Sequence, residues 1–203
     1  MTNIHSYRTI ATPISAEFKD KNSRFIAFAF PVLTTDDFKV QLEYLKKEHF
    51  KAKHHCFAYR LGYDGTHFRA NDDGEPAGSA GRPILGQIDS FELTDTAVIV
   101  VRYFGGTLLG MPGLINAYKN ATKTALEHAE IIEKNIEKNI KIQCDYANLN
   151  TVLRLAKQFQ ANIIHQDLQM DCHLTLRVPV SSWQTFIHHI EKERNIIVKQ
   201  LQN

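Results

Sequence analysis

Two glycine-rich stretches hold the residues best suited to chemistry. The first runs Asp72-Asp73-Gly74-Glu75-Pro76-Ala77-Gly78-Ser79-Ala80-Gly81, the second Arg102-Tyr103-Phe104-Gly105-Gly106-Thr107-Leu108-Leu109-Gly110. Each lies between a strand-like segment and a helix-like one. In that position free backbone N–H groups point outward and glycine permits close approach, which suits an anion such as a phosphate. The spacing matches neither the dinucleotide fingerprint nor the P-loop, and turn-making alone also accounts for the glycines. If the stretches converge, Asp72, Asp73, Glu75, Gly78, Ser79, Arg102, Gly105 and Gly106 line one groove, with Arg60 nearby. Asp73 and Glu75 have the chemistry of an acid and a base, but they serve equally to cap a helix or to accept from loop amides. His54-His55-Cys56 contains metal-ligating types. On a strand His54 and Cys56 share one face while His55 points to the other, a spacing short of a zinc site. No metal, cofactor or catalytic residue is therefore assigned.

A second signal is electrostatic. Between positions 46 and 69 lie Lys46, Lys47, Lys51, Lys53, Arg60 and Arg69, opposed only by Glu48 and Asp64. Tyr44, Phe50, Phe57, Tyr59 and Phe68 are interleaved with them. Cations beside aromatic rings suit phosphate contacts and base stacking, with Lys51, Lys53 and Arg69 as the candidate nucleic-acid contacts. The plainer alternative makes the aromatics core and the lysines a solvated face.

The elements that must position these residues are legible in part. Strand-like segments open the chain at 7–12, 14–19 and 25–32. Thr34 and Thr35 offer an N-cap, with Asp36 and Asp37 in the first turn of an amphipathic helix carrying Phe38, Leu42, Leu45 and His49. A strand at 54–61 and a hairpin partner at 66–69 flank the Asp64-Gly65 turn. Pro83 fits the first turn of a short helix ending near residue 88. The run Ala97-Val98-Ile99-Val100-Val101 is apolar on both faces, as in a central strand. Beyond the second glycine-rich stretch, Leu114, Ala117, Tyr118, Ala121, Ala125 and Ala129 form the inner stripe of a helix able to lie close on a sheet. The charged segment 131–139 is the expected linker. After it comes a βαββαβ order, with strands at 140–146, 162–168, 172–178 and 196–201 and helices at 149–159 and 183–193.

Bulk properties narrow the classes further. The 203 residues suit one large or two small domains, and a hydrophobic share of 43% supports a real core. A net charge of +2 is too weak to imply nucleic-acid binding without a local patch. Three cysteines, none in a CxxC pair, argue against a disulfide framework and for a reducing compartment. The polar first 15 positions lack the apolar core of a signal peptide or anchor, and the longest apolar run is too short for a bilayer. A cytoplasmic protein without a membrane segment is expected.

Five ordered motifs resemble a known family. They are Lys21-x-Ser23-Arg24-Phe25-Ile26-Ala27; His54-His55-Cys56-x-Ala58-Tyr59-Arg60; the first glycine-rich stretch running on to Pro83-Ile84-Leu85; the second one; and Gly113-Leu114-x-x-Ala117-Tyr118. Together they resemble the YigZ/IMPACT family from about residue 10 to residue 129, and more weakly beyond. Pro112-Gly113 stands where that family usually has Gly-Gly, and Asn116 where it usually has Arg. The resemblance implies an α+β protein of two domains. Residues 1–132 would fold like domain IV of elongation factor G. Residues 138–203 would form a ferredoxin-like βαββαβ domain similar to domain V of that factor. Eukaryotic relatives regulate translation, using a different attached domain. The expected function is thus an RNA- or ribosome-associated protein of translation. Two alternatives stay open: an enzyme or binding protein for a phosphate-bearing small molecule at the two glycine-rich loops, and a protein-interaction module without chemistry.

Overall fold

The computed structural model describes residues 5–200, and for Gln200 its backbone only. Residues 1–4 and 201–203, at the ends of the two expected domains and of the last expected strand, lie outside the described residues. The described chain is a mixed α+β protein with five helices and mainly antiparallel sheets. It divides into two units, residues 7–134 and residues 5–6 with 135–200. Among the described residues no helix is long and apolar enough to cross a membrane.

The first unit holds β1 (Ser6–Ile10, shared with its neighbour at Ser6), β2 (Ile14–Asp20), β3 (Ser23–Pro31), α1 (Thr35–Glu48), β4 (His54–Leu61), β5 (His67–Asn71), α2 (Gly81–Ser90), β6 (Thr96–Tyr103), α3 (Gly110–Glu127) and β7 (Ile131–Asn135). Five strands form an antiparallel sheet in the order β2-β3-β6-β4-β5, and β1 pairs with β7. The central position of β6 follows from its two apolar faces. Val98 and Val100 join Phe25, Ala27, Cys56 and Ala58 under α2 and α3. Ala97, Ile99 and Val101 join Phe38, Leu45, Phe57 and Tyr59 under α1. Ala117, Ala121 and Ala125, all fully buried, let the α3 backbone settle on the sheet. Thr34 and Asp37 close a capping box on α1.

The segment expected as a linker is ordered as two strands. β7 takes residues up to Asn135, and β8 (Glu137–Cys144) begins after Ile136 alone. Ile136 donates its N–H to His5 O at 2.8 Å and accepts from Val180 N at 2.7 Å. The segment is expected to join two domains whatever its conformation, and the division between the two units falls within it, between Lys134 and Asn135.

The second unit continues with α4 (Tyr146–Gln158), β9 (Asn162–Leu168), β10 (Cys172–Pro179), α5 (Val180–Lys192) and β11 (Ile196–Gln200). Its sheet has the order β11-β8-β10-β9, antiparallel throughout. Ile140, Ile142, Leu174 and Leu176 face α4 and α5 around Val152, Leu155, Phe186 and Ile190. Cys144 and Cys172 sit opposite each other on β8 and β10, both buried. Burial, with Cys172 and Asp145 close by, pushes the Cys144 thiol up to about 11.

Candidate functional site

The end of β6 and the start of β4 are neighbours, because Arg102 pairs with His54 across the ladder. The first glycine-rich loop folds over this end of the sheet, and the second leaves it toward α3. Between them lies a cleft of about 350 Å³. The start of β4 and the first loop line it with Lys53, His54, Glu75 and Pro76, and the end of β6, the second loop and the start of α3 line it with Arg102, Phe104, Leu108, Leu109 and Met111. Phe104, Leu108 and Met111 leave much of their apolar surface in solvent.

Beneath the cleft runs a buried polar chain. Arg102 Nη1 donates to Glu75 Oε1 at 2.6 Å, and the Tyr118 hydroxyl donates to the same oxygen at 2.8 Å. Only 7% of the Arg102 side chain and 4% of the Glu75 side chain are exposed, so this pair is held out of water. The Cys56 thiol lies 3.2 Å from the Tyr118 oxygen and 3.0 Å from Asp72 O. Burial pushes both the Cys56 thiol and the Tyr118 hydroxyl far above their ordinary ranges, and the acid groups nearby add to it. Both stay neutral, so the thiol is not a reactive nucleophile. The Arg102 guanidinium has its carbon 5.4 Å from the centroid of the Phe25 ring and 5.6 Å from that of Phe104. Its buried Nε has no hydrogen-bond partner.

The loop amides expected to greet an anion are largely taken by the protein itself. Asp72 accepts from Gly78 N, Ala80 N and Gly81 N at 2.8, 2.9 and 2.8 Å. These bonds cap α2, whose N-cap residue Ala80 has no side chain to do so. Burial alone would raise the Asp72 carboxyl. The three N–H donors and the Arg82 charge outweigh it and hold the group below the usual carboxylate range. Ser79 is buried, and its hydroxyl donates to Pro76 O at 2.7 Å. Asp73, with φ of +43°, accepts from His55 N at 2.6 Å, while its carbonyl lies 2.8 Å from His54 Nδ1. In the second loop Gly105 N donates to Ser23 Oγ at 3.1 Å, and Gly106 adopts a φ of +86° in open space.

A pH-dependent prediction follows from Asp72. A carboxyl held below its unfolded value stabilises the fold fully above that value, and the gain is lost as pH falls through the lower folded value. Asp72→Asn is expected to cost about 2 kcal/mol near neutral pH, the scale of hydrogen bonds to a charged group. The gap from wild type should begin to narrow below about pH 4, the unfolded carboxyl range, and go on narrowing as pH falls through the lower folded value. Urea titrations at pH 7 and pH 3 measure it; an equal gap at both values excludes the carboxylate as the cap.

Glu75 and Arg102 are thus brought together, while other expected members are not. Arg60 is corrected outright. It lies about 20 Å along β4 from His54, its Nε donates to Asp89 Oδ1 at 2.8 Å, and it also bonds Gly65 O. The carboxylate at the end of α2 is nearer to it than any acid of the glycine-rich loop. Gly78 and Ser79 shape the loop from within. Lys51 and Lys53 share the α1–β4 turn, but Arg69 stands over the Phe57 ring on the α1 side of the sheet. The part of Tyr118 in this buried chain was missed, since its place in an alanine stripe marks it as core. A hydroxyl in so apolar a stripe was the available signal, because a buried phenol takes a hydrogen-bond partner.

Comparison with known proteins places this arrangement in a lineage. Residues 21–126 match the Impact N-terminal domain. An IMPACT family member from Haemophilus influenzae is 36% identical over 185 residues, covering 89% of each chain. The IMPACT family member YigZ of Escherichia coli is 32% identical over 185 residues, 90% of this chain and 91% of its own. A crystal structure described as that of a hypothetical protein superposes with a TM-score of 0.77 at 30% identity, covering 98% of this chain and 99% of that one. With a family domain spanning both loops and the buried chain beneath them, and relatives alike along most of their length, this protein belongs to the IMPACT family.

Proposed function

We propose that the protein is an RNA-binding protein of the translation apparatus, working in the cytoplasm. The observation that carries this reading is the α1–β4 turn. Lys53 lines the cleft beside Arg102 and Phe104, and Phe50 projects from the same turn with Lys51 Nζ 5.7 Å from its ring centroid. Phe50 is 74% exposed, and neither lysine forms an ion pair among the described residues. Exposed rings beside unpaired cations suit a single strand, with bases stacked and phosphates on the lysines. The small-phosphate alternative is disfavoured by Asp72 and Ser23, which already occupy the loop amides such a ligand would need.

The two units are read as separate domains. The first is proposed to share the fold of domain IV of elongation factor G. The second is proposed to be ferredoxin-like and similar to domain V. Support for the latter is its strand order β11-β8-β10-β9 with both helices packed on that sheet.

The test is a salt titration. Each phosphate contact to a single strand contributes about 0.7 to the slope of log affinity against log salt. Lys51→Ala with Lys53→Ala is expected to flatten that slope by about 1.4 across unrelated sequences, with little change in stability because both residues are exposed. Fluorescence anisotropy with a labelled oligoribonucleotide, and sedimentation with ribosomes, measure it. No binding to either near physiological salt excludes the proposal and leaves the small-ligand reading ahead.

A further inference from the structure

The open sheet face of the second unit sets two lysines opposite each other without an ion-pair partner among the described residues. α4 and α5 pack on one face of the four-stranded sheet, and the alternate residues point to the other. The register sets these in rows across the strands. Lys199 lies opposite Lys141, Lys141 opposite Thr175, and Thr175 opposite His165. In the next row Ile197 lies opposite Gln143, Gln143 opposite His173, and His173 opposite Asp167. A depression of about 290 Å³ lies over both rows.

Lys141 and Lys199 are exposed on neighbouring strands. Like charges directly opposite on one face destabilise a sheet unless something offsets them. Among the described residues no carboxylate forms an ion pair with either lysine. Among the described residues Asp167 lines the depression opposite His173, and Asp171 accepts from Gln143 Nε2 at 3.2 Å, so both acids serve the neighbouring row. Arg177, further along β10, is answered by Glu137 at 3.6 Å, while neither lysine has such a partner among the described residues. A bound polyanion would supply that countercharge. Its shape is also indicated. The row from Lys199 to His165 crosses three strand spacings, about 14 Å, which is too broad for a single phosphate and suits an extended polyanion. His165 and His173 are exposed and present imidazole planes on which a base can stack.

We propose that this open sheet face is a second RNA-binding surface, taking the phosphodiester backbone of a single strand along the Lys199–Lys141 row with bases against His173 and His165. The proposal rests on the reading that the chain binds RNA. The experiment therefore compares three forms of the full chain with one labelled single-stranded oligoribonucleotide at two salt concentrations. Lys141→Gln with Lys199→Gln is expected to flatten the salt slope by about 1.4, to weaken binding at low salt, and to leave the melting temperature unchanged or higher. Lys141→Arg with Lys199→Arg should restore binding, because the cations rather than the lysine shape are required. If wild type binds and the glutamine variant binds equally with the same slope, this surface is excluded while Lys51 and Lys53 remain. If the arginine variant fails to restore binding in a folded protein, the charge argument is excluded. If wild type does not bind at all, both this surface and the RNA reading fall.

Discussion

Glu75→Ala is expected to lower folding stability by about 3–5 kcal/mol, the cost of stranding one member of a buried ion pair. A single oxygen, Oε1, holds both Arg102 Nη1 and the Tyr118 hydroxyl. Its removal leaves a guanidinium without a counter-charge and a phenol without an acceptor, both inside the fold. The rings of Phe25 and Phe104 beside the guanidinium offset part of the charge, by about 1 kcal/mol each at exposed sites and more when dry. Glu75→Gln keeps an acceptor for Tyr118 and should cost less than Glu75→Ala. The double change Glu75→Ala with Arg102→Met should cost less than the sum of its parts, because the second removes the charge that the first strands. Urea unfolding of wild type, Glu75→Ala, Arg102→Met and the double variant closes the cycle. Additive effects, or a Glu75→Ala protein within about 0.5 kcal/mol of wild type as for ordinary surface sites, would show that the pair does not hold the loop, β6 and α3 together.

How much of this was readable in advance depended on how local each cause is. The central strand was legible because Ala97 to Val101 are apolar without alternation, a property of five consecutive residues. The α1 cap was legible because Thr34 and Asp37 are three positions apart. The alanine stripe of α3 carries its own period. The α2 cap was not legible: Asp72 reaches Gly81 across nine positions, through a loop whose path no local pattern gives. Nor was the partner of Arg60, since Asp89 lies 29 residues on. Pairing of β1 with β7 joins the two ends of the first unit, so the strand character of residues 131–135 was not visible when the segment was read alone. At the candidate site, residue types named Glu75 and Arg102 as members, but only the fold joins them through Tyr118. Likewise the like-charged pair Lys141 and Lys199 is 58 residues apart in sequence and becomes visible only in the sheet register.

Gly105→Ala is expected to cost about 3 kcal/mol, at the upper end of overpacking, and to push the second glycine-rich loop off the sheet. A methyl at this position would stand 2.1 Å from Asn22 C, 2.3 Å from Asn22 O and 2.3 Å from Ser23 N. These are backbone atoms, so no rotamer change relieves the clash. The opposing turn has little room to retreat. Lys21 and Asn22 both adopt positive φ, 43° and 65°, in the two-residue loop joining β2 to β3, and Asp20 pairs with Ser23 directly behind it. Displacing the loop also breaks the 3.1 Å bond from Gly105 N to Ser23 Oγ. Gly106 provides the internal comparison. It has a φ of +86°, and a methyl there would meet nothing within 4 Å, so Gly106→Ala should cost only the backbone strain, about 1 kcal/mol. The two adjacent changes remove the same glycine flexibility from the unfolded chain, and their difference therefore isolates the close approach to Asn22. Equal stabilities in urea would mean that Gly105 does not pack on the turn. A large gap, together with weaker RNA binding by Gly105→Ala under conditions where it remains folded, would tie the glycine to the placement of Phe104 and Leu108 at the cleft mouth rather than to any contact of its own with a phosphate.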